Sequence, residues 1–396
     1  QNPTNKRMSK AAPAAFYKLR SLFKTPPPPK PAAVSAAAID KRSLDFRDTV
    51  DFKKSCDSPN FRSRFYIFRK IVTRFANNKH YNLVREILDH QKKYDDITNE
   101  GFTSRLVLLY GKSGMFDEAQ KLFDEMPQLG CPRTVLSYNS LLSASVEAGR
   151  YDEFERIKDE VPGTIGVTKD VASYNIEIKG YCEMGDLDKA LSLFEEMEKE
   201  GGVGMSLITF NTLLHGCYKN GRLEDGDKVW ARMVEAEFVP DVRSYNAKLL
   251  GLTLGNRMEE AEELVEKMRA EGIRLDKYCF NALISGYASA GKLEEVKRCY
   301  RAMVNENCKK DECTFRTLLT FLCEKGDVDF ALEVSKVVIR RKYPVDAEVL
   351  QLVVDGLVAE SKVDEAKKLV QLQSRTSIVL SLYETLIFRF YLELLS

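Results

Sequence analysis

The 396-residue sequence holds only three histidines (His80, His90, His215), and none of its nine cysteines forms a Cys-x-x-Cys pair. Zinc sites need thiolates and imidazoles clustered at short spacing. No metal site and no cofactor are therefore expected. The cysteines, at 56, 131, 182, 217, 279, 299, 308, 313 and 323, read as buried free thiols in a reducing compartment. No apolar run reaches the roughly 18 residues of a membrane span, so no membrane partner is expected. No catalytic constellation can be assembled, which speaks against an enzyme and against a small-molecule substrate. There is also no excess of charge, because the net is +1. A strongly basic body would have announced nucleic-acid binding by charge alone, and this chain does not have one.

The charge is unevenly placed. Residues 1–75 carry 17 Lys/Arg against 5 Asp/Glu, a net of +12, which leaves −11 for the remainder. Residues 1–39 lack acids altogether and include the run Pro26–Pro29. That composition is expected of an extended basic arm or the remnant of an organellar targeting segment, and it is assigned to residues 1–64. The chain opens on Gln1 rather than Met, which raises the expectation that residues precede it.

What the sequence has in abundance is repetition. Ser137-Tyr138-Asn139, Ser173-Tyr174-Asn175, Thr209-Phe210-Asn211, Ser244-Tyr245-Asn246 and Cys279-Phe280-Asn281 recur at asparagine spacings of 36, 36, 35 and 35. A period of this length signals a solenoid of two-helix units. Nine units follow: 65–99, 100–134, 135–170, 171–206, 207–241, 242–276, 277–311, 312–346 and 347–381. A last apolar segment, 382–396, is expected to form a capping helix. Within each unit the first helix stops at Gly114, Gly149, Gly185, Gly221, Gly291 or Gly326, with Asn256 in the equivalent slot of one unit. These are residues that close a helix in the left-handed region. The second helix opens on acids that complement its dipole, such as Asp117-Glu118 and Glu259-Glu260. It ends on Met126, Met197, Met233, Met268 or Met303, expected as core filler.

The phrase Leu207-Ile-Thr-Phe-Asn-Thr-Leu-Leu-His-Gly-Cys-Tyr-Lys-Asn-Gly221, with Pro240-Asp241 before Val242-Arg-Ser-Tyr-Asn246, resembles the pentatricopeptide repeat family in its repeat-only form. The resemblance covers residues 65–381. It implies an all-α fold, a right-handed α-solenoid, that binds single-stranded RNA one base per repeat. It further implies that the fifth and last residues of a unit face the base. Those pairs are Asn139/Asp170, Asn175/Ser206, Asn211/Asp241, Asn246/Asp276 and Asn281/Asp311. Asn with Asp implies uridine and Asn with Ser cytidine, giving 5′-U-C-U-U-U-3′. Leu136, Ala172, Ile208, Arg243 and Tyr278 should flank the bases. Outer units depart: Ser104/Thr134 is ambiguous, and Arg69/Asn99, Arg316/Asp346 and the Gln351 unit match no standard pair. Arg69 and Arg316 are assigned to RNA phosphates instead. Lys112 and Lys219 fill the slot in which the family contacts the RNA backbone. Glu147, Glu183 and Glu324 occupy that slot elsewhere and are expected to repel phosphate.

Each row also has a reading that needs no RNA. Asp and Ser at the end of a unit are what the next helix requires as an N-cap, and Ser137, Ser173 and Thr209 can cap as well. The aromatics beside the asparagines, Tyr138, Tyr174, Phe210, Tyr245, Phe280 and Phe315, read as core wedges. Asparagine itself is a poor helix former, and packing alone does not explain five in a row. Two functions then compete. In one the chain is a structural subunit of the small subunit of a plant mitochondrial ribosome, with ribosomal RNA and ribosomal proteins as partners, in the matrix rather than in a chloroplast. Short repeat-only family members of that kind are similar to this chain in length, body and basic arm. In the other the chain reads a pyrimidine-rich tract of one organellar mRNA, to stabilise it, process it or activate its translation. Five read bases recur by chance about once in a thousand nucleotides, too often for a unique address, which favours the first.

Overall fold

A computed structural model of the protein describes residues 49–199, 204–343 and 345–375. The arm as far as residue 48 and the expected capping helix at 382–396 lie outside the described residues. Units one and two contribute α1 (Phe65–Asn77), α2 (Tyr81–Asp89), α3 (Glu100–Lys112) and α4 (Phe116–Glu125). The five asparagine units contribute α5 (Val135–Glu147), α6 (Tyr151–Ile165), α7 (Val171–Met184), α8 (Leu187–Lys199), α9 (Leu207–Lys219), α10 (Leu223–Glu235), α11 (Val242–Leu254), α12 (Met258–Ala270), α13 (Lys277–Ser289) and α14 (Leu293–Asn305). The last two contribute α15 (Glu312–Glu324), α16 (Val328–Arg341), α17 (Ala347–Ala359) and α18 (Val363–Arg375). Odd-numbered helices open a unit and even-numbered helices close it. Each opening helix packs on its own partner and on the opening helices of the units before and after it.

The turn between paired helices is set by one left-handed residue. It is glycine in six units, Gly114, Gly149, Gly185, Gly221, Gly291 and Gly326, and φ is +55° at Asn256. Lys79 and Ser361 take the same place in the first and last units. The methionine row lies in the core as expected: Met126, Met233, Met268 and Met303 are fully buried and Met197 nearly so. Burying each contributes roughly 1.5–3 kcal/mol. Tyr138, Phe210, Tyr245, Phe280 and Phe315 are buried wedges. Tyr174 is the exception, only half-buried, in the unit whose preceding helix α6 is the longest of the closing helices, at 15 residues.

A second glycine row has a different cause. Gly180, Gly216, Gly251, Gly286 and Gly356 sit at the tenth position of their opening helices, where the preceding unit comes closest. A Cβ on Gly286 would lie 2.6 Å from Met258 Sδ, and one on Gly216 would collide with Cys182 Sγ. Mid-helix glycine costs up to about 1 kcal/mol, offset here by the close approach of the preceding unit's helices.

Residues 49–62, read with the arm in sequence, are packed. Residues 49–55 and Pro59–Arg62 are helical, and Phe52 stacks edge-on to Phe68 at 4.9 Å. The closing helices are stitched along their outer side by ion pairs between neighbouring units, such as Arg150–Asp117 at 3.2 Å and Arg222–Asp188 at 3.0 Å. Exposed pairs of this kind contribute at most about 1 kcal/mol each.

Candidate nucleic-acid interface

The polar row is built from helix ends. Asp170, Ser206, Asp241, Asp276 and Asp311 are the N-caps of α7, α9, α11, α13 and α15, and each accepts backbone N–H groups of the first turn. In four of the five the third residue of the helix closes a capping box by accepting the N-cap N–H through its hydroxyl. These residues are Ser173, Thr209, Ser244 and Thr314. The capping expectation therefore holds for every last-slot residue of the row.

Capping does not use up these side chains. Asn139 Nδ2 donates to Asp170 Oδ1 at 3.0 Å, Asn211 to Asp241 at 3.0 Å, Asn246 to Asp276 at 3.1 Å and Asn281 to Asp311 at 3.1 Å. The expected pairs thus touch within four of the five units. Asn175 and Ser206 make no such bond, and Asn175 Oδ1 is buried without a partner. Three of the carboxylates, Asp170, Asp241 and Asp311, are held in their charged form. Partial burial pushes Asp170 and Asp241 upward, but the asparagine amides and capping N–H groups outweigh it and leave both below the usual range. At Asp311 the same opposition, joined by Lys277 Nζ at 2.8 Å, ends at a pKa of about 2.

The residues expected to flank a base are all exposed. Leu136, Ile208 and Tyr278 retain 48%, 61% and 59% of their accessible surface, and Ala172 and Arg243 are exposed as well. Tyr66, in the same slot of the first unit, is 61% exposed.

The charges on this face are paired in a way that sequence spacing did not disclose. Lys179 Nζ reaches back to Glu147 Oε1 at 2.5 Å, and Lys219 Nζ to Glu183 Oε2 at 2.8 Å. Two of the three carboxylates expected to repel phosphate are thereby neutralised by the following unit. The same bond commits Lys219, which was expected to be free for the backbone. Glu324 is exposed and makes no ion pair among the described residues. Arg316 is held by Glu312 at 2.7 Å and by Asp346, the last residue of its own unit. Gln351 donates to Asp355 at 2.7 Å. Arg69 and Lys112 are exposed and make no ion pair among the described residues. Of the four cations assigned to phosphate, the two without such a pair, Arg69 and Lys112, therefore lie in the first two units.

Among the described residues no group of three or more His, Cys, Asp or Glu side chains could hold a metal ion, and no helix is long and apolar enough to cross a membrane. The thiol expectation needs one correction. Cys313 is exposed and Cys308 and Cys323 are half-buried, while the other six are buried. Cys313 stands in the exposed base-flanking slot of the eighth unit, where no core is available to cover it.

Helix pairs stacked unit upon unit, presenting side-chain pairs on a common face, define an α-solenoid repeat protein. Comparison with known proteins gives the family. A model of the PPR repeat family matches residues 169–203, 205–253 and 276–324, and a second PPR repeat model matches 104–131 and 243–273. The chain is a pentatricopeptide-repeat protein. Small ribosomal subunit protein mS79 (rPPR3b) of Arabidopsis thaliana is 42% identical over 167 residues, covering 42% of this chain and 40% of that protein. Small ribosomal subunit protein mS78 (rPPR3a) of the same plant is 44% identical over 119 residues, 30% of each. The matched stretches thus span less than half of either relative. The crystal structure of the pentatricopeptide repeat protein PPR10 from maize superposes with a TM-score of 0.50 at 21% identity, over 95% of this chain and 50% of that one. That likeness speaks for the fold.

Proposed function

We propose that this protein is a non-catalytic, RNA-associated structural component of the small subunit of a plant mitochondrial ribosome, working in the matrix in support of organellar translation. The observation that carries the reading is its 42% and 44% identity to two Arabidopsis proteins named as small ribosomal subunit proteins. The electrostatics of the repeat face agree with it. Affinity for bare RNA rests largely on cation–phosphate contacts, and here Lys179, Lys219 and Arg316 are already committed to carboxylates. A subunit fixed by neighbouring proteins, with its basic arm against ribosomal RNA, does not need that grip. The test is sedimentation of mitochondrial extracts through salt-containing gradients. The protein should travel with the small ribosomal subunit at moderate salt. Recovery only in light, RNase-sensitive fractions would sink the proposal.

A second reading is favoured by one observation of its own, the alignment of five asparagines on one face. In it the chain binds a single-stranded pyrimidine tract of one organellar transcript. Asparagine in contact with its carboxylate keeps a second amide hydrogen and a second carbonyl lone pair for a base edge. The full chain should then bind a U-C-U-U-U oligomer far better than an A-rich one of equal length, and equal binding of the two would count against it.

A further inference from the structure

Four of the five asparagines of the row have a second partner, and that partner belongs to the next unit. Ser173 Oγ donates to Asn139 Oδ1 at 2.7 Å, Ser244 Oγ to Asn211 Oδ1 at 2.6 Å and Thr314 Oγ1 to Asn281 Oδ1 at 2.7 Å. Cys279 Sγ donates to Asn246 Oδ1 at 2.8 Å. Each hydroxyl has one proton and also lies near its own capping carboxylate, but at 3.0, 3.2 and 3.1 Å respectively. The asparagine is the nearer acceptor every time.

An asparagine amide is nearly symmetric in shape and opposite in chemistry at its two ends. Uridine presents a donor at N3 beside an acceptor at O4, whereas cytidine presents an acceptor at N3 beside an amino donor. One amide can pair with both only by turning end over end. In the four Asp-containing units the amide cannot turn cheaply, because the carboxylate takes a hydrogen from Nδ2 while the hydroxyl or thiol gives one to Oδ1. Turning would set donor against donor and acceptor against acceptor. In the fifth, both constraints are missing. Thr209 Oγ1 is engaged with Ser206 Oγ at 3.1 Å, and Asn175 Oδ1 has no partner.

We propose that the third residue of each following unit is a specificity-positioning residue of the unit before it. Ser173 serves Asn139, Ser244 serves Asn211, Cys279 serves Asn246 and Thr314 serves Asn281, each fixing which pyrimidine its asparagine accepts. The Asn175 unit, which lacks this bond, discriminates least. The proposal rests on the base-reading use of the face described above, and it adds to that reading a residue lying outside the reading pair itself.

Cys279 gives the cleanest test. It takes no part in a side-chain capping box, since Asp276 caps α13 through the N–H groups of Tyr278 and Cys279. Burial pushes its thiol up to about 12, so it keeps its proton and can donate. With the full chain, Kd is measured for U-C-U-U-U and for single-base variants. Cys279→Ala should lower the uridine-over-cytidine preference at the fourth base by roughly fivefold, the worth of one hydrogen bond. Cys279→Ser should hold or raise it, and the preferences at the first and third bases should not move. In the unaltered chain the second base should be the least discriminating. An unchanged fourth-base preference in Cys279→Ala, in a chain that binds the oligomer, overturns the positioning role alone. Failure of the unaltered chain to bind any oligomer overturns the base-reading use of the face, and this proposal with it.

Discussion

Asn211 Nδ2 donates to Asp241 Oδ1 across 3.0 Å, and the same oxygen accepts the N–H groups of Arg243 and Ser244 at the start of α11. A single carboxylate oxygen therefore serves the fold and the exposed face together. The cap and the proposed reading residue, two roles that the sequence left able to coexist, fall on one side chain.

That double use separates two substitutions. Asp241→Ala removes the cap and should cost about 1 kcal/mol, read as a lower urea midpoint at unchanged slope. Asp241→Ser keeps a capping oxygen and should cost only a few tenths of that. It also converts the third reading pair into the Asn/Ser type already present one unit earlier. In oligomer binding the preferred third base should move from uridine towards cytidine.

Gly216 faces Cys182 so closely that no side chain fits between them. Gly216→Ala should destabilise by about 1–3 kcal/mol through overpacking, against the usual gain from replacing a helical glycine. Adding Cys182→Ala removes the sulfur but leaves its Cβ 2.7 Å from the new one, and should recover only part of the loss. The double-mutant cycle, followed by thermal unfolding, should be clearly non-additive.

Asp311 carries a pH signature. Its folded value of about 2 lies below its ordinary 3.8, so the native state binds its proton less readily than the unfolded chain does. The stability it contributes is complete above pH 3.8 and is lost as pH falls towards 2. Asp311→Asn retains a capping oxygen but not the charge. Its denaturation midpoint should therefore fall less steeply than that of the unaltered chain between pH 4 and 2.

Thiol reactivity should follow exposure. In the native chain at mildly alkaline pH one cysteine should react quickly with a disulfide reagent, and Cys313→Ser should abolish that phase. Burial raises Cys182 and Cys279 to about 12 and Cys56, Cys217 and Cys299 to about 11. These five should react only after the chain is unfolded.

The repeating parts of the fold were legible because each repeats for a local reason. The turn glycines, the methionine slot and the buried wedges each answer a requirement of one helix or one turn. What stayed hidden links different units. Lys219 and Glu183 are 36 residues apart and Ser244 and Asn211 are 33 apart, so neither falls within the reach of a helix turn. Only the stacking register brings them together. The capping role of Ser173 was open to sequence reading, but its second bond, to Asn139, was not. The tenth-position glycines have no local cause in their own helix, and only the neighbouring unit explains them.

The bonds of Ser173, Ser244, Cys279 and Thr314 all run in one direction along the chain, from a later unit to an earlier one. The segment that folds as a repeat is consequently out of phase with the segment that works as one. A working module would begin at the opening helix of one unit and end just past the third residue of the next. Segments moved between such proteins should be cut at that later point, since a cut at the repeat boundary leaves the final asparagine with neither its carboxylate's helix nor its hydroxyl.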